Sequence, residues 1–215
     1  MDAAARHDEA RRRLLEATLA HVTFDGWSDT ALAAGAGDLG LEVALVADLF
    51  PGGPAEAVEL FSREADRAMV EGLAGMDLAA LRVRERISAG VRLRLEQLAP
   101  RREAVRRGLS FLALPANAVL AARCLGRTVD EIWHAAGDRS TDFNFYTKRG
   151  LLAAVYGATL LYWLEDKSEG SAETWAFLDR RIAEVLQVPR LLGRLGELTK
   201  KLPDPFLLWR RRVRR

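Results

Sequence analysis

The segment HVTFDGWSDTALAAGAGDLGLEVALVADLFPGG, residues 21–53, decides the fold of this chain. Apolar residues recur at helical spacing over 7–23, and Gly26 ends that predicted helix. Two short predicted helices follow, over 29–36 and 41–49, with a glycine-rich turn between them. A long helix followed by two short helices around a turn is the arrangement of a helix-turn-helix motif.

The remainder of the chain also has helical periodicity, and no run of four or more residues alternates as a strand does. Alanine, leucine and arginine, which favour helices, dominate its composition. We predict further helices over 54–74, 77–98, 101–112, 117–136, 142–166, 171–187 and 190–201. The sequence therefore predicts an all-α fold.

The composition is that of a globular protein, with 49% hydrophobic and 29% charged residues among 215. The single cysteine, Cys124, excludes an internal disulfide and a cysteine-built zinc site. The longest uncharged apolar run, Leu151 to Leu164, is too short to span a bilayer. The first residues contain no apolar leader, and arginine greatly outnumbers lysine. Both features favour a bacterial protein over one imported into an organelle.

The net charge is only +2, but the charges are unevenly distributed. No Lys or Arg occurs from Leu14 to Ser62, where eight acidic residues are found. The second short helix of the motif offers Glu42, Asp48 and aliphatic side chains. A DNA-binding helix needs cations for phosphates and polar side chains for base edges. We therefore expect a vestigial motif that serves as scaffold, and no specific nucleic acid partner.

The segment EIWHAAGDRSTDFNFYTKRGLL, residues 131–152, is the densest polar stretch of the chain. Glu131 and His134 have the Glu-x-x-His spacing of di-iron helix bundles, whose ligands share one helix face. The other two histidines lack a Glu three positions earlier, so one chain cannot complete such a centre. We expect no metal, no cofactor and no catalytic residue. A small helical enzyme that uses Glu131, His134 and Asp138 is the weaker alternative.

Four strings of the sequence resemble the coenzyme Q biosynthesis protein nine family, the ubiquinone accessory proteins. They are WHAAGDRSTDFNFYTKRGLLAAVY (133–156), GWSDTALAAGAGDLGL (26–41), LFPGG (49–53) and ALPANA (113–118), and the similarity covers about residues 10–190. The helix-turn-helix followed by LFPGG is similar to the N-terminal module of tetracycline-repressor-type regulators, whose fold that family shares. The resemblance implies a dimeric lipid-binding protein with no chemistry of its own.

The same resemblance implies a specific partner, the di-iron hydroxylase that acts on demethoxyubiquinone. In that family a surface patch around the most specific string contacts the hydroxylase. By position, the patch corresponds here to Asp130, Ile132, Trp133, Phe145 and Tyr146. Phe145 stands where animal members have a Trp, so an aromatic anchor is retained without the indole N–H.

A lipid ligand requires an apolar cavity between helices, and three segments are candidate walls. The first is residues 149–166, RGLLAAVYGATLLYWLED, which mixes small and bulky apolar residues. The second is residues 111–120, FLALPANAVL, where a proline interrupts a helix within an apolar stretch. The third is the helix that follows residue 166, which contains Trp175. The predicted lipid-binding residues are Leu114, Pro115, Leu152, Tyr156, Leu160, Trp163 and Trp175. A close-packed core would explain the same pattern, and the sequence leaves that alternative open.

The C-terminal segment combines an apolar helical face with flanking cations and a tryptophan. This combination is typical of a segment that lies on an anionic membrane surface. The residues predicted to contact the membrane are Leu191, Leu195, Leu198, Phe206, Trp209 and Arg210. A helix docked on its own domain is the alternative.

These predictions divide the chain into three parts. They are a helix-turn-helix-like module over 1–53, a helical lipid-binding and dimerisation region over 54–187, and a basic amphipathic tail over 188–215. We interpret the chain as a tetracycline-repressor-like bundle that presents an isoprenoid quinone intermediate, or a phospholipid, to the hydroxylase. We expect it in the cytoplasm at the bacterial inner membrane, or in the mitochondrial matrix if a presequence is missing. The alternative is a ligand-responsive transcriptional regulator.

Overall fold

The computed structural model describes residues 3–137 and 143–185, and the side chains of all of these except 143–146. Within these ranges the chain forms nine α-helices, four short 3₁₀ turns and no strand, which confirms the all-α prediction. The helices are α1 (Ala3–Asp25), α2 (Asp29–Asp38), α3 (Val43–Leu49), α4 (Gly53–Ala74), α5 (Val83–Leu98), α6 (Arg102–Leu112), α7 (Ala118–Ala135), α8 (Phe143–Glu165) and α9 (Ala172–Val185). The predicted helix over 190–201 lies outside the described residues.

The region predicted as one helix over 77–98 forms a short turn before α5 begins. The Asp77 carboxylate accepts a hydrogen bond from the Ala80 N–H, which closes the turn. The Glu85 carboxylate accepts a second one from the N–H of Arg82, just before α5. Such local side-chain hydrogen bonds give the backbone an alternative to continuous helix, which helical periodicity alone does not reveal.

Helices α1 to α3 and the start of α4 enclose an apolar core, the N-terminal cluster. Its buried members are Leu14, Leu15, Val22, Trp27, Ala31, Leu32, Ala36, Leu49, Phe50, Ala57, Val58 and Ala104. Ser28 caps α2 through a hydrogen bond from the Ala31 N–H at 3.2 Å. At Gly35, α2 approaches α1 so closely that an added Cβ would lie 2.7 Å from the Thr18 backbone nitrogen. The helix-turn-helix is therefore held by backbone-to-backbone contact.

Helices α4 to α9 enclose a second and larger apolar core, the main cluster. It includes Met69, Leu73, Ile87, Val91, Leu95, Val129, Ile132, Tyr156, Trp163 and Leu178. Trp27 ties the N-terminal module to α6, because its indole N–H donates to the Ala104 carbonyl at 3.1 Å. Its ring also lies 5.3 Å from that of Phe61, which packs against both clusters. The N-terminal module is thus fixed onto the larger bundle.

No single helix in the described part of the chain is both long enough and apolar enough to cross a membrane. Two pairs of consecutive helical segments would be long and apolar enough together, by length and composition alone, but each is sharply bent at the break between its segments. They are Asp29–Asp38 with Val43–Leu49, bent by 114°, and Val83–Leu112 with Pro115–Ala135, bent by 97°.

Candidate ligand-binding cavity

A cavity of about 360 Å³, the central cavity, lies between α4, α5, α6, α7 and α8. Its walls are predominantly apolar and include Phe61, Leu98, Leu109, Leu112, Leu125 and Leu160. This volume falls within the range of small-molecule sites, which are concave, mostly apolar and carry few polar groups. Leu161 on α8 also lines the cavity and is 61% exposed, so the cavity reaches the protein surface there.

Small residues on the facing helices leave this space open. Gly108, Ala121 and Gly157 line the cavity on α6, α7 and α8. A Cβ added at Gly157 would meet no neighbouring atom within 4 Å. Protein interiors are usually close-packed, so small residues on three helices that face the same open space distinguish this core.

One wall of the central cavity is polar, and its Arg94 forms a buried ion pair with Asp66. Arg94 and Asp66 are only 5% and 3% exposed, and the Arg94 Nε lies 2.8 Å from an Asp66 oxygen. Thr128 donates to the same oxygen at 2.7 Å, and Arg127 donates to the other at 2.9 Å. The buried carboxylate is therefore hydrogen-bonded on both oxygens, which offsets the cost of removing it from water.

The Arg94 guanidinium also holds two hydroxyl groups at the cavity wall. Its Nη1 donates to the Tyr156 hydroxyl at 2.6 Å, and its Nη2 donates to the Ser62 hydroxyl at 3.4 Å. Burial raises the pKa of Tyr156 even though the Arg94 charge opposes this, so the phenol stays protonated near neutral pH. Burial lowers the pKa of Arg94, but the contacts with Tyr156 and Asp66 outweigh it and the net shift is upward.

Sequence reasoning missed Asp66 and Arg94, although a signal for both is present. Asp66 lies three residues before the buried Met69, so it occupies the apolar stripe of α4. Arg94 is flanked in the same way by Val91 and Leu98, both buried on α5. A charged residue at a core position of a helix is rare unless it is paired, and two such positions on adjacent helices indicate a buried pair.

The predicted lipid-binding residues fall into several environments. Tyr156 and Leu160 line the central cavity, and Leu152 lines a second cavity. Leu114 and Pro115 are exposed at the turn between α6 and α7 and line neither cavity. The structure thus brings two of the seven residues together at the central cavity.

Both predicted tryptophans lie in the main cluster instead of a cavity wall. Trp163 is 1% exposed, with the Arg102 guanidinium 4.4 Å from its ring centroid. Trp175 donates its indole N–H to the Gly170 carbonyl at 2.7 Å. Both side chains are therefore part of a packed core, which is the alternative that the sequence left open for the candidate cavity walls.

The second cavity, of about 330 Å³, lies between α5, α7, α8 and α9. Its walls include Ile87, Trp133, Lys148, Leu152, Val155 and Ile182. The predicted partner residue Trp133 is therefore a wall of this cavity, and it is 7% exposed. Its indole N–H donates to the Lys148 carbonyl at 3.3 Å, which ties α7 to α8.

The remaining predicted partner residues differ in accessibility. The Asp130 side chain is 56% exposed and pairs with Arg149. The Ile132 side chain is fully buried, and Gly90 of α5 approaches it closely, so its assignment as a contact residue is wrong for this fold. Positions 130 and 132 face different sides of α7, so Asp130 can be exposed while Ile132 lies in the core. The side chains of Phe145 and Tyr146 lie outside the described part.

Two other groups of predictions also concern undescribed parts of the chain. The membrane-contact residues Leu191, Leu195, Leu198, Phe206, Trp209 and Arg210 all lie beyond Val185. Asp138, of the alternative enzyme, falls in the undescribed segment before α8. Within 3–137 and 143–185, no group of three or more His, Cys, Asp and Glu side chains is close enough to hold a metal ion.

The exposed face of the helix-turn-helix is acidic and apolar. Helices α2 and α3 contain no Lys or Arg, and Val43 at the start of α3 is 65% exposed. Cations from the larger bundle contact α1 of this module. Arg101 pairs with Glu16 at 2.7 Å, and Arg107 donates to the Thr23 carbonyl at 3.1 Å. These contacts attach the module to α6 and its preceding turn, and they add no cation to the α2–α3 face.

The family model for COQ9 matches residues 118–189 of this chain. The chain is 34% identical over 206 residues to the mitochondrial ubiquinone biosynthesis protein COQ9 of Drosophila melanogaster, covering 94% of this chain and 63% of that protein. It is 34% identical over 188 residues to the Homo sapiens protein of the same name, covering 84% of this chain and 59% of that protein. The chain therefore spans about three fifths of the length of these relatives, whose names describe mitochondrial proteins.

A solved structure of a TetR transcriptional regulator from Nitrosomonas europaea ATCC 19718 has the same fold. The TM-score is 0.68 at 22% identity, and the match covers 83% of this chain and 98% of that one. The likeness confirms the predicted tetracycline-repressor-like architecture. It does not favour the regulator alternative, because a fold hosts many functions and the α2–α3 face lacks the cations that DNA requires.

Proposed function

Because this chain belongs to the COQ9 family, we propose that it serves ubiquinone biosynthesis as a non-catalytic protein that holds an isoprenoid quinone intermediate in the central cavity. The observation that carries this proposal is the cavity itself, about 360 Å³ of apolar space with polar groups confined to one wall. An isoprenoid quinone is likewise mostly apolar with its polar groups at one end, because it has an apolar tail and a small polar ring.

The size and opening of the central cavity fit a ligand that is only partly enclosed. Its volume is at the lower end of the range for ligand sites, about 300–1,000 Å³. This space suits a ring and the beginning of a tail, with the rest of a long tail leaving past Leu161. The apolar walls would stabilise the enclosed part by about 25 cal/mol for each Å² removed from water.

The membrane and hydroxylase contacts belong to the same proposal. A tail with the composition of residues 188–215 would hold the protein at an anionic surface, where long-chain isoprenoid quinones reside. The region around Asp130 and Phe145 would then contact the di-iron hydroxylase, with two copies of the chain forming a homodimer. Transfer of the ring from cavity to enzyme requires no bond-making by this chain.

Uptake of a quinone from vesicles tests the proposal. Vesicles that contain phosphatidylglycerol and a prenylated benzoquinone are mixed with the full chain, and quinone is measured in the protein fraction after flotation. In Gly157→Leu, a side chain fills the cavity, so we expect at least about tenfold less quinone. Gly126→Leu is the matched control, since Gly126 is an exposed helical glycine with nothing near its Cβ and lines neither cavity. Equal uptake by both variants would contradict the proposal.

A further inference from the structure

Ser62, Arg94 and Tyr156 form the polar wall of the central cavity, and two hydroxyl groups of this wall have hydrogens available for donation. An arginine side chain can only donate, so the Tyr156 and Ser62 hydroxyls both act as acceptors towards it. No residue in the described part of the chain accepts the hydrogen of either hydroxyl. Tyr156 is 4% exposed, and a buried donor normally has a partner. Ser62 and Tyr156 both line the cavity, so a ligand oxygen next to their hydroxyls could accept from them.

Every charged group behind this wall is paired among the described residues. Arg94 pairs with Asp66, and Arg127 bridges Asp66 at 2.9 Å and Glu59 at 3.5 Å. Glu59 also pairs with the exposed Arg123 at 3.3 Å, so each guanidinium already faces a carboxylate. An acidic head group would enter next to Asp66 with no unpaired cation to offset its desolvation, which is costly for a buried charge. An uncharged oxygen carries no such cost.

We infer that this wall selects an uncharged ring bearing a ketone or ether oxygen, with the Tyr156 hydroxyl as its hydrogen-bond donor, over the acidic head group of a phospholipid or fatty acid. The inference rests on the proposed function, because it names the part of the ligand that the polar wall of the cavity binds. Arg94 acts as a positioning residue: it holds the phenol oxygen as an acceptor, and the phenol hydrogen remains for the ligand.

Three ligands with similar tails separate these chemistries in a calorimetric titration of the full chain. They are a dimethoxybenzoquinone with a decyl tail, decylbenzene, and dodecanoate. Tyr156→Phe removes the donor and keeps the ring. Tyr162→Phe is the matched control, because Tyr162 lies on the same helix outside the cavity and its hydroxyl contacts Glu173 at 3.3 Å.

We expect Tyr156→Phe to weaken quinone binding about five- to tenfold, as loss of one hydrogen bond implies, and to change decylbenzene binding by less than about twofold. Tyr162→Phe should change neither. A merely structural role for Tyr156 would weaken both ligands equally and would overturn the inference. So would tighter binding of dodecanoate than of quinone by the unmodified chain.

The outcomes also separate this inference from the proposed function. If the unmodified chain binds quinone and decylbenzene and Tyr156→Phe leaves their ratio unchanged, the head-group assignment fails and the apolar cavity site remains. If the unmodified chain binds none of the three ligands, both the inference and the proposed function fail. A thermal melt of each variant confirms that the titrations are made on folded protein.

Discussion

The N-terminal cluster and the part of the bundle around the central cavity are adjacent, but they are packed differently. In the N-terminal cluster, α2 approaches α1 at Gly35 so closely that no methyl group fits, and the buried side chains are almost all aliphatic or aromatic. In the bundle behind it, small residues such as Gly157 keep about 360 Å³ open next to a buried ion pair. The first core is close-packed where α1 meets α2, and the second retains space next to a buried charge pair.

Under the proposed function, this difference assigns binding specificity to the bundle that contains the cavity. A region that only supports its neighbours is most stable when close-packed. Open apolar volume and a buried charge both cost stability, so a fold retains them where a ligand uses them. Under the proposed function, the helix-turn-helix, whose exposed α2–α3 face carries no cation, supports the bundle that contains the cavity.

The largest expected effect comes from breaking the ion pair of the cavity wall. Asp66→Ala leaves the buried Arg94 without its carboxylate, and we expect a loss of about 3–5 kcal/mol in the free energy of unfolding. Glu71→Ala on the same helix removes an exposed pair and should cost less than about 1 kcal/mol. Urea denaturation measures both. Equal costs for the two variants would show that the buried pair has no special importance.

Adding a methyl group to the close-packed core is the second test. Gly35→Ala would place its Cβ 2.7 Å from the Thr18 backbone, and we expect it to cost about 1–3 kcal/mol. Gly37→Ala lies two residues further along α2, where a Cβ meets nothing, and should be neutral or stabilising by up to about 1 kcal/mol. Thermal melts of the two variants distinguish them. If Gly35→Ala were as stable as Gly37→Ala, the close approach of α1 and α2 would be contradicted.

A smaller, pH-dependent effect is expected at the turn between α8 and α9. Burial alone would raise the pKa of Asp166, but hydrogen bonds from Ser168 and Thr174 outweigh it and hold the pKa well below its ordinary value. The unfolded chain therefore binds this proton at a higher pH than the folded one. The resulting stabilisation is complete above the ordinary aspartate pKa of about 3.9 and is lost as the pH falls towards the lower folded value.

Asp166→Asn tests this linkage. It should cost about 1 kcal/mol at pH 7, as loss of a capping carboxylate does. The difference from the unmodified chain should stay constant from pH 7 to about pH 5 and shrink below about pH 4. Urea denaturation across this range measures it. A difference that grows as the pH falls would contradict the direction of the pKa shift.

Much of the fold could be predicted from local sequence. The N-terminal module was predicted because its helices, the Ser28 cap and its turns are set by residues close in sequence. The break before α5 was missed because the hydrogen bonds of Asp77 and Glu85 leave the apolar periodicity unchanged.

The candidate site could be predicted only in part. Tyr156 and Leu160 were found because a helix with small and bulky residues indicates a possible cavity wall. The pairing of Asp66 with Arg94 depends on the rotation of two helices about their axes, which sequence periodicity fixes only approximately. Ile132 was assigned to a partner surface by its position in the family resemblance, and the structure shows it in the core.

The most direct test of the central claim is native mass spectrometry, with lipid extraction, on the full chain purified from a quinone-producing bacterium. The account predicts a bound isoprenoid quinone species that is retained by Gly126→Leu and lost from Gly157→Leu. A chain that carries no such species, or a Gly157→Leu variant that carries as much as the unmodified protein, would contradict the assignment of the central cavity as the binding site.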